Sequence, residues 1–99
     1  MGKYILSQKA KDDIADIWEY TYERWSEEQA DKYFLLLHEG FEVLSSNPKI
    51  GLVKREVDDS LFEFTIHKHQ VFYRILGTTT IRIVRIFHER MDMNQQLLK

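Results

Sequence analysis

The spacing of apolar residues changes once along this 99-residue chain, close to Gly51. Before Gly51 they recur every three or four positions, which is the period of an amphipathic helix. After Gly51 they alternate with polar residues, which is the period of a strand with one buried face. We therefore predict helices in the first half of the chain and a sheet in the second, an α+β fold in which the helices cover one face of the sheet.

The first helix is predicted to begin after Ser7, a candidate N-cap residue. Asp12 and Asp13 fall early in this helix, where acidic groups suit the positive end of the helix dipole. A short strand over residues 3–6 is predicted to precede it. The buried stripe of the helix is predicted to consist of Ala10, Ile14, Ile17, Trp18, Thr21 and Trp25.

A second helix is predicted to start almost where the first stops, near Trp25, because Ser26 and Gln29 have the spacing of a capping box. Asn47 and Pro48 are predicted to end it, since proline cannot continue the helical hydrogen-bond ladder. Its predicted buried stripe comprises Ala30, Tyr33, Phe34, Leu37, Phe41 and Leu44. Two helices with almost no loop between them form a helical hairpin.

Three strands are predicted after Gly51, separated by hairpin turns at His67–Lys68 and Gly77–Thr78. With the first strand they give the order β-α-α-β-β-β in a mostly antiparallel sheet, with the helical hairpin on one face. A further short strand is a candidate at 54–57. The whole chain, 1–99, is predicted to form a single domain.

A turn is predicted at 58–60, and a short C-terminal helix or tail is expected from Met91 onward. The chain has no cysteine, so it has neither a disulfide framework nor a thiolate metal site. It shows no signal peptide and no apolar run long enough to span a bilayer, so we expect a cytoplasmic protein without a membrane partner.

Charge is distributed unevenly along the chain. Residues 1–50 carry six basic and ten acidic side chains, a net charge of −4, whereas residues 51–99 carry eight and six, a net charge of +2. Arginines are concentrated in the last third of the chain, at Arg74, Arg82, Arg85 and Arg90. This asymmetry indicates two surfaces for two different partners. The net charge of −2 does not favour sequence-specific nucleic-acid binding.

Two sets of residues could carry chemistry. His67 and His69 are two positions apart but lack a third metal ligand, so we interpret them as hairpin-turn residues and predict neither metal nor cofactor. His88, with Arg74 and Arg85, could supply the acid–base and phosphate-binding groups of a ribonuclease. The alternative is that His88 caps a strand and the arginines solvate a sheet edge.

Several apolar side chains fit neither helical stripe. In a two-layer fold the outer side of a helical hairpin is exposed, so extra apolar groups there indicate a docking groove for a partner segment. A broad helix–helix contact or a homodimer are the alternatives. The candidate groove residues are Tyr20, Tyr22, Leu35, Leu36 and Val43.

Five segments, in order and at matching spacing, resemble ParE-type toxins of the RelE/ParE superfamily. They are Tyr4-Ile5-Leu6-Ser7-x-x-Ala10-x-x-Asp13-Ile14-x-x-Ile17-Trp18-x-Tyr20-Thr21, Trp25-x-x-x-Gln29-Ala30-x-x-Tyr33, Asn47-Pro48-x-x-Gly51, His69-x-Val71-Phe72-Tyr73-Arg74 and Ile83-Val84-Arg85-Ile86-Phe87-His88-Glu89-Arg90-Met91-Asp92. The last segment is the most specific.

The resemblance implies the toxin component of a bacterial type II toxin–antitoxin system, a class associated with plasmid stabilisation. It implies a toxin that poisons DNA gyrase by protein–protein contact, without catalysis of its own. It also implies a ParD-like antitoxin partner whose C-terminal segment wraps the helices and the sheet. Candidate gyrase contacts are Arg85, Arg90 and Met91, near the end of the last strand.

The related RelE branch instead cleaves messenger RNA on the ribosome, which is the alternative function, and a non-toxic remnant that only binds antitoxin is a third. This chain departs from many relatives at 60–63, where an arginine is replaced and Glu63 is present. The end of the chain also lacks an aromatic residue beyond Phe87 that could stack on a base. Both departures favour the gyrase hypothesis over the ribonuclease.

Overall fold

A computed structural model describes residues 2–88 of the chain. The predicted C-terminal helix or tail lies outside the described residues. The elements are β1 (Lys3–Leu6), α1 (Gln8–Arg24), α2 (Glu27–Ser46), a short 3-10 turn (Pro48–Ile50), β2 (Leu52–Val53), β3 (Phe62–Ile66), β4 (His69–Gly77) and β5 (Thr80–His88).

The five strands form one mixed sheet in the order β1-β5-β4-β3-β2. β1 pairs in parallel with β5, and the other neighbours are antiparallel. The predicted architecture, a helical hairpin on a mostly antiparallel sheet, is confirmed. Neither helix within residues 2–88 has the length and hydropathy that crossing a membrane requires.

The helix boundaries follow from local capping. The Ser7 hydroxyl accepts a hydrogen bond from the Ala10 amide at 3.0 Å, and the Ser26 hydroxyl accepts one from the Gln29 amide at 3.1 Å. Each bond satisfies one of the amides that a helix start leaves without a partner. Both predicted N-caps are therefore confirmed, and α2 ends just before Pro48 as the proline predicts.

The predicted dipole role of the early acidic residues in α1 is wrong. The first turn of α1 contains no acidic residue. Asp13 instead accepts hydrogen bonds from the Arg85 guanidinium and from the Ile86 amide on β5. The carboxylate thus fastens the helix to the sheet, an arrangement that local spacing could not indicate.

The predicted extra strand at 54–57 is also wrong in its position. The additional strand is β2, and the residues after it turn back on themselves. The Lys54 amide donates to the Leu61 carbonyl at 2.8 Å, and the Val57 amide donates to the Lys54 carbonyl at 3.0 Å. Residues 54–61 therefore form a closed loop, which we call the β2–β3 loop.

The main core lies between the helices and the face of the sheet that they cover, which we call the inner face. Its fully buried members include Leu37, Phe41 and Leu44 from α2 and Ile81 and Ile83 from β5. Trp25 and Phe34 of the predicted helical stripes are exposed, at 75% and 38%. Trp25 is the C-cap of α1 and has a non-helical backbone, so its side chain does not continue the buried stripe.

The opposite, outer face of the sheet carries a smaller apolar cluster of its own. Leu61, Phe72 and Phe87 are almost fully buried there, with Val57 and Val84 packed against them. We call this set the outer cluster. It explains why Val71, Phe72 and Tyr73 are all buried although their side chains alternate between faces. The alternating pattern predicted only one buried face, because it could not show the β2–β3 loop folding over the other.

A register shift in β5 interrupts the alternation of its side chains between the inner and outer faces. Phe72 pairs with Arg85 and Tyr73 pairs with Ile83, so Val84 is an extra residue in β5. Val84 belongs to the outer cluster and Ile86 to the main core. Ile86 and His88 therefore lie on the inner face, whereas Val84 lies on the outer face.

Candidate functional site

The structure does not bring the candidate ribonuclease residues together. In the register of β4 and β5, His88 pairs with His69 and Arg74 pairs with Arg82. His69 and Arg74 are five residues apart on one strand, which corresponds to roughly 17 Å. A single phosphate group cannot be reached from both ends of that span.

Arg74 is held by the β2–β3 loop. Its guanidinium lies 3.0 Å from the Asp58 carboxylate and donates to the Ser60 hydroxyl at 2.5 Å. Hydrogen bonds from the Ser60 amide and hydroxyl, and then the Arg74 charge, lower the pKa of Asp58. The loop acid is therefore ionised at neutral pH and neutralises much of the charge that a phosphate would need.

Arg85 is held still more firmly. Its Nε and Nη2 atoms donate to the two oxygens of Asp13 at 2.9 and 3.1 Å, a bidentate pair, and its guanidinium lies 4.4 Å from the centre of the Phe87 ring. The side chains of Arg85 and Asp13 are only 21% and 13% exposed. The guanidinium of Arg85, a candidate gyrase contact, is therefore already occupied by contacts within the fold. Arg90 and Met91, the other two candidates, lie outside the described residues.

His88 lies in a group of rings at the end of the sheet. Its ring is 5.4 Å from that of His69, which in turn places Nδ1 2.5 Å from the Tyr33 hydroxyl of α2. His69 is 8% exposed, and its pKa is lowered to about 4 by burial and by the nearby His88. At neutral pH His69 is therefore uncharged and joins α2 to the sheet.

The predicted turn role of the two neighbouring histidines holds for one of them. His67 occupies the β3–β4 turn with a left-handed backbone, φ 55°, whereas His69 is a buried strand residue. Within residues 2–88 no group of three His, Cys, Asp or Glu side chains could hold a metal ion.

Sequence reasoning missed a second contact between a tyrosine and a histidine. The Nδ1 atom of His38 on α2 lies against the Tyr4 hydroxyl, and its ring packs on Phe34 and Phe41. Burial lowers the pKa of His38, and the charge of Glu42 opposes that shift. No local pattern links β1 to α2, so this contact had no signal in the sequence.

An open groove of about 300 Å³ lies between α2 and β3. Leu36, Gly40 and Val43 line its helical wall, and Phe64 and Ile66 line the wall formed by the sheet. A Cβ atom added at Gly40 would lie 2.5 Å from Ile66 Cδ1, so glycine allows the helix to approach the sheet this closely.

The sheet edge beside this groove is only partly covered. β2 pairs with β3 at Phe62 and Glu63 alone. The remaining residues of β3, 64–66, have no strand on that side within the described part of the chain. The groove therefore combines an apolar wall with free backbone hydrogen-bonding groups, the features that an extended peptide segment recognises.

The five candidate groove residues do not share one surface. Leu36 and Val43 line the α2–β3 groove, and both are exposed, at 39% and 53%. Tyr22 instead stacks on Trp18 with ring centres 5.3 Å apart, and Tyr20 lies under the Arg24 guanidinium at 5.0 Å. Leu35 is 60% exposed and is not part of the groove wall.

Comparison with known proteins gives a consistent match. Residues 4–93 match the family model described as the ParE toxin of the type II toxin-antitoxin system, parDE. Toxin ParE1 of Mycobacterium tuberculosis strain H37Rv is 35% identical over 96 residues, covering 97% of this chain and 98% of that protein. Toxin ParE1 of Caulobacter vibrioides is 32% identical over 97 residues, covering 98% and 99%.

Two solved structures share the fold. One is described as the chromosomal ParDE TA system from P. aeruginosa, with a TM-score of 0.73, 20% identity, and coverage of 89% of this chain and 95% of that chain. The other is the toxin–antitoxin complex RelBE2 from Mycobacterium tuberculosis, with a TM-score of 0.67, 20% identity, and coverage of 88% and 96%. At this level of identity the likeness shows the architecture alone.

Proposed function

Because the chain belongs to the ParE toxin family of type II toxin–antitoxin systems, we propose that it poisons DNA gyrase by protein–protein contact. We propose further that it acts in the cytoplasm and is neutralised by a ParD-like antitoxin. The observation that carries the gyrase proposal is the state of the candidate catalytic groups. Arg74 and Arg85 are each paired with a carboxylate, and His88 lies at the other end of the strand from Arg74. This arrangement favours a protein-binding surface over a catalytic centre.

We assign antitoxin binding to the α2–β3 groove. An extended antitoxin segment could pair with the open edge of β3 while its apolar side chains contact Leu36 and Val43. The helix that forms one wall of the groove is acidic: α2 carries five acidic residues and one basic residue. Basic side chains in the antitoxin segment would complement that charge.

The antitoxin proposal is tested by placing a charge in the groove. We expect Leu36→Glu to weaken antitoxin binding by about tenfold or more, because a carboxylate would be buried against apolar side chains of both partners. Isothermal titration calorimetry with the purified antitoxin measures this change. Leu35→Glu is the matched control, since it places the same group on the neighbouring residue outside the groove. Equal affinities of Leu36→Glu and the wild type would contradict the assignment.

The gyrase proposal is tested with purified protein and gyrase, scoring supercoiling and trapped, cut DNA on the same gel. We expect cut DNA to accumulate only when gyrase is present. No effect at a large excess of protein would contradict the proposal. Messenger cleavage on translating ribosomes, compared between wild type and His88→Ala, would then test the ribonuclease alternative. Harmless induced expression would indicate a remnant that only binds antitoxin.

A further inference from the structure

Three basic side chains lie near one another on the outer face of the sheet, away from the α2–β3 groove. Arg82 of β5 points outward, since its neighbours Ile81 and Ile83 are fully buried in the main core. Lys3 of β1 points outward for the same reason, because Tyr4 packs against that core. Arg74 of β4 is the register partner of Arg82 and shares its face. We call Lys3, Arg74 and Arg82 the basic row.

The arrangement of the basic row is electrostatically unfavourable. Like charges directly opposite each other on neighbouring strands are unfavourable, and Arg74 faces Arg82 in this way. Asp58 offsets the charge of Arg74. The Arg82 side chain is exposed and makes no hydrogen bond or ion pair with any residue from 2 to 88. An external anionic group placed between Arg82 and its neighbours would relieve this repulsion.

We propose that the basic row binds an acidic segment of a partner protein and, resting on the proposed function, that this segment belongs to gyrase. Arg74 and Arg82 are register partners, whereas Lys3 pairs with Thr80, two residues along β5 from Arg82. With strands about 4.8 Å apart and about 3.3 Å per residue along a strand, the row runs diagonally over about 12 Å. Carboxylates at alternate positions of an extended segment are about 7 Å apart and can reach two of these cations together.

The neighbouring residues favour a protein over a nucleic acid. Ile5, the register partner of Arg82, is 51% exposed and offers an apolar contact that a phosphate backbone would not use. Proteins that hold duplex DNA commonly contact about six to ten phosphates, whereas this row has three cations and one is already paired. The acidic helical layer and the net charge of −2 would also repel a long polyanion.

The test uses the full chain with Arg82→Glu. This variant places a glutamate opposite Arg74, so the like-charged pair becomes an oppositely charged one and the fold is expected to be at least as stable as the wild type. We expect gyrase binding to fall by about tenfold or more while antitoxin binding is unchanged. Lys11→Glu is the matched control, because it makes the same change of charge on the exposed side of α1. We expect it to keep its gyrase affinity.

Equal gyrase binding by Arg82→Glu and the wild type would overturn the proposal, and so would an equal loss in Lys11→Glu, which would show only an effect of net charge. A loss of stability in Arg82→Glu would contradict the charge argument.

A second measurement separates this proposal from the gyrase function. A short synthetic Glu/Leu peptide is titrated into the isotopically labelled protein, with its Gln/Leu counterpart and a short DNA duplex as comparisons. We expect the acidic peptide alone to shift the amide signals of residues 3–5 and 82, and about 1 M salt, where the Debye length is about 3 Å, to abolish the shift. If gyrase does not bind but these shifts appear, the surface stands and the gyrase function fails. Stronger shifts with the duplex, or none with any probe, would overturn the proposal.

Discussion

The inner face of the sheet carries a continuous apolar layer against both helices, whereas the outer face is divided between the outer cluster and the exposed basic row. The inner face is largely apolar, because two helices cover it, and His69 is a buried polar exception. The outer face is covered only where the β2–β3 loop crosses it, so the rest is free to carry charge. Stability therefore comes from one face and from part of the other, and the remaining part is available for a partner.

The largest expected effect tests whether the outer cluster is a true core. We expect Phe72→Ala to lower the free energy of unfolding by about 3 kcal/mol, because the residue is fully buried and its removal leaves a cavity. Urea denaturation followed by circular dichroism measures the change. Leu76→Ala, on the same strand but 54% exposed, is the control and should cost less than about 0.5 kcal/mol. Similar losses in the two variants would show that the stability resides in the inner face alone.

The second effect tests the connection of α1 to the end of β5. We expect Asp13→Ala to cost about 2–3 kcal/mol, since it leaves a largely buried Arg85 and the Ile86 amide without their acceptor. Asp12→Ala, the exposed neighbouring residue, should change stability by less than about 0.5 kcal/mol. If thermal and urea denaturation gave the same result for both variants, the Asp13 contacts would not stabilise the fold.

The third effect is a pH dependence that originates on the inner face. His69 has a folded-state pKa of about 4, below the ordinary value of 6.5, so between these values the unfolded chain binds a proton that the folded protein does not. Stability is therefore lost as pH falls from about 6.5 to 4, by about 2 kcal/mol between pH 7 and 5.

Titrating histidine variants identifies the source of that loss. His69→Asn should flatten the dependence of unfolding free energy on pH over this range, leaving a smaller slope that includes His38, whose pKa is also lowered. His67→Asn is the control, because His67 is exposed and asparagine tolerates its left-handed backbone. An unchanged slope in His69→Asn would assign the acid sensitivity to another group.

The elements of the fold were predictable because their signals are local. Ser7, Ser26 and Pro48 set helix boundaries through contacts within a few residues, and alternation located the strands after Gly51. The outer cluster, the register shift at Val84 and the Asp13–Arg85 pair were not predictable in this way. The last joins residues 72 positions apart, and no spacing rule connects them.

The candidate site was predictable only in part. Apolar residues of α2 that lie outside the buried stripe could be identified from helical spacing. Two of them, Leu36 and Val43, line a groove. That Tyr20 and Tyr22 lie elsewhere depends on how α1 packs, which the stripe does not determine. The Arg85–Asp13 ion pair likewise depends on which acid the folded chain brings near Arg85, so from sequence alone Arg85 was a candidate for both the ribonuclease and the gyrase contact.

The parallel pairing of β1 with β5 affects when the protein can fold. The Ser7 hydroxyl donates to the Val84 carbonyl across 77 positions of sequence, and β5 is the strand that joins β1 to the rest of the sheet. The first strand to leave the ribosome must therefore wait for the last described strand to be synthesised, and closing so long a loop slows folding. A protein with this topology completes its sheet only after residue 88 has been synthesised.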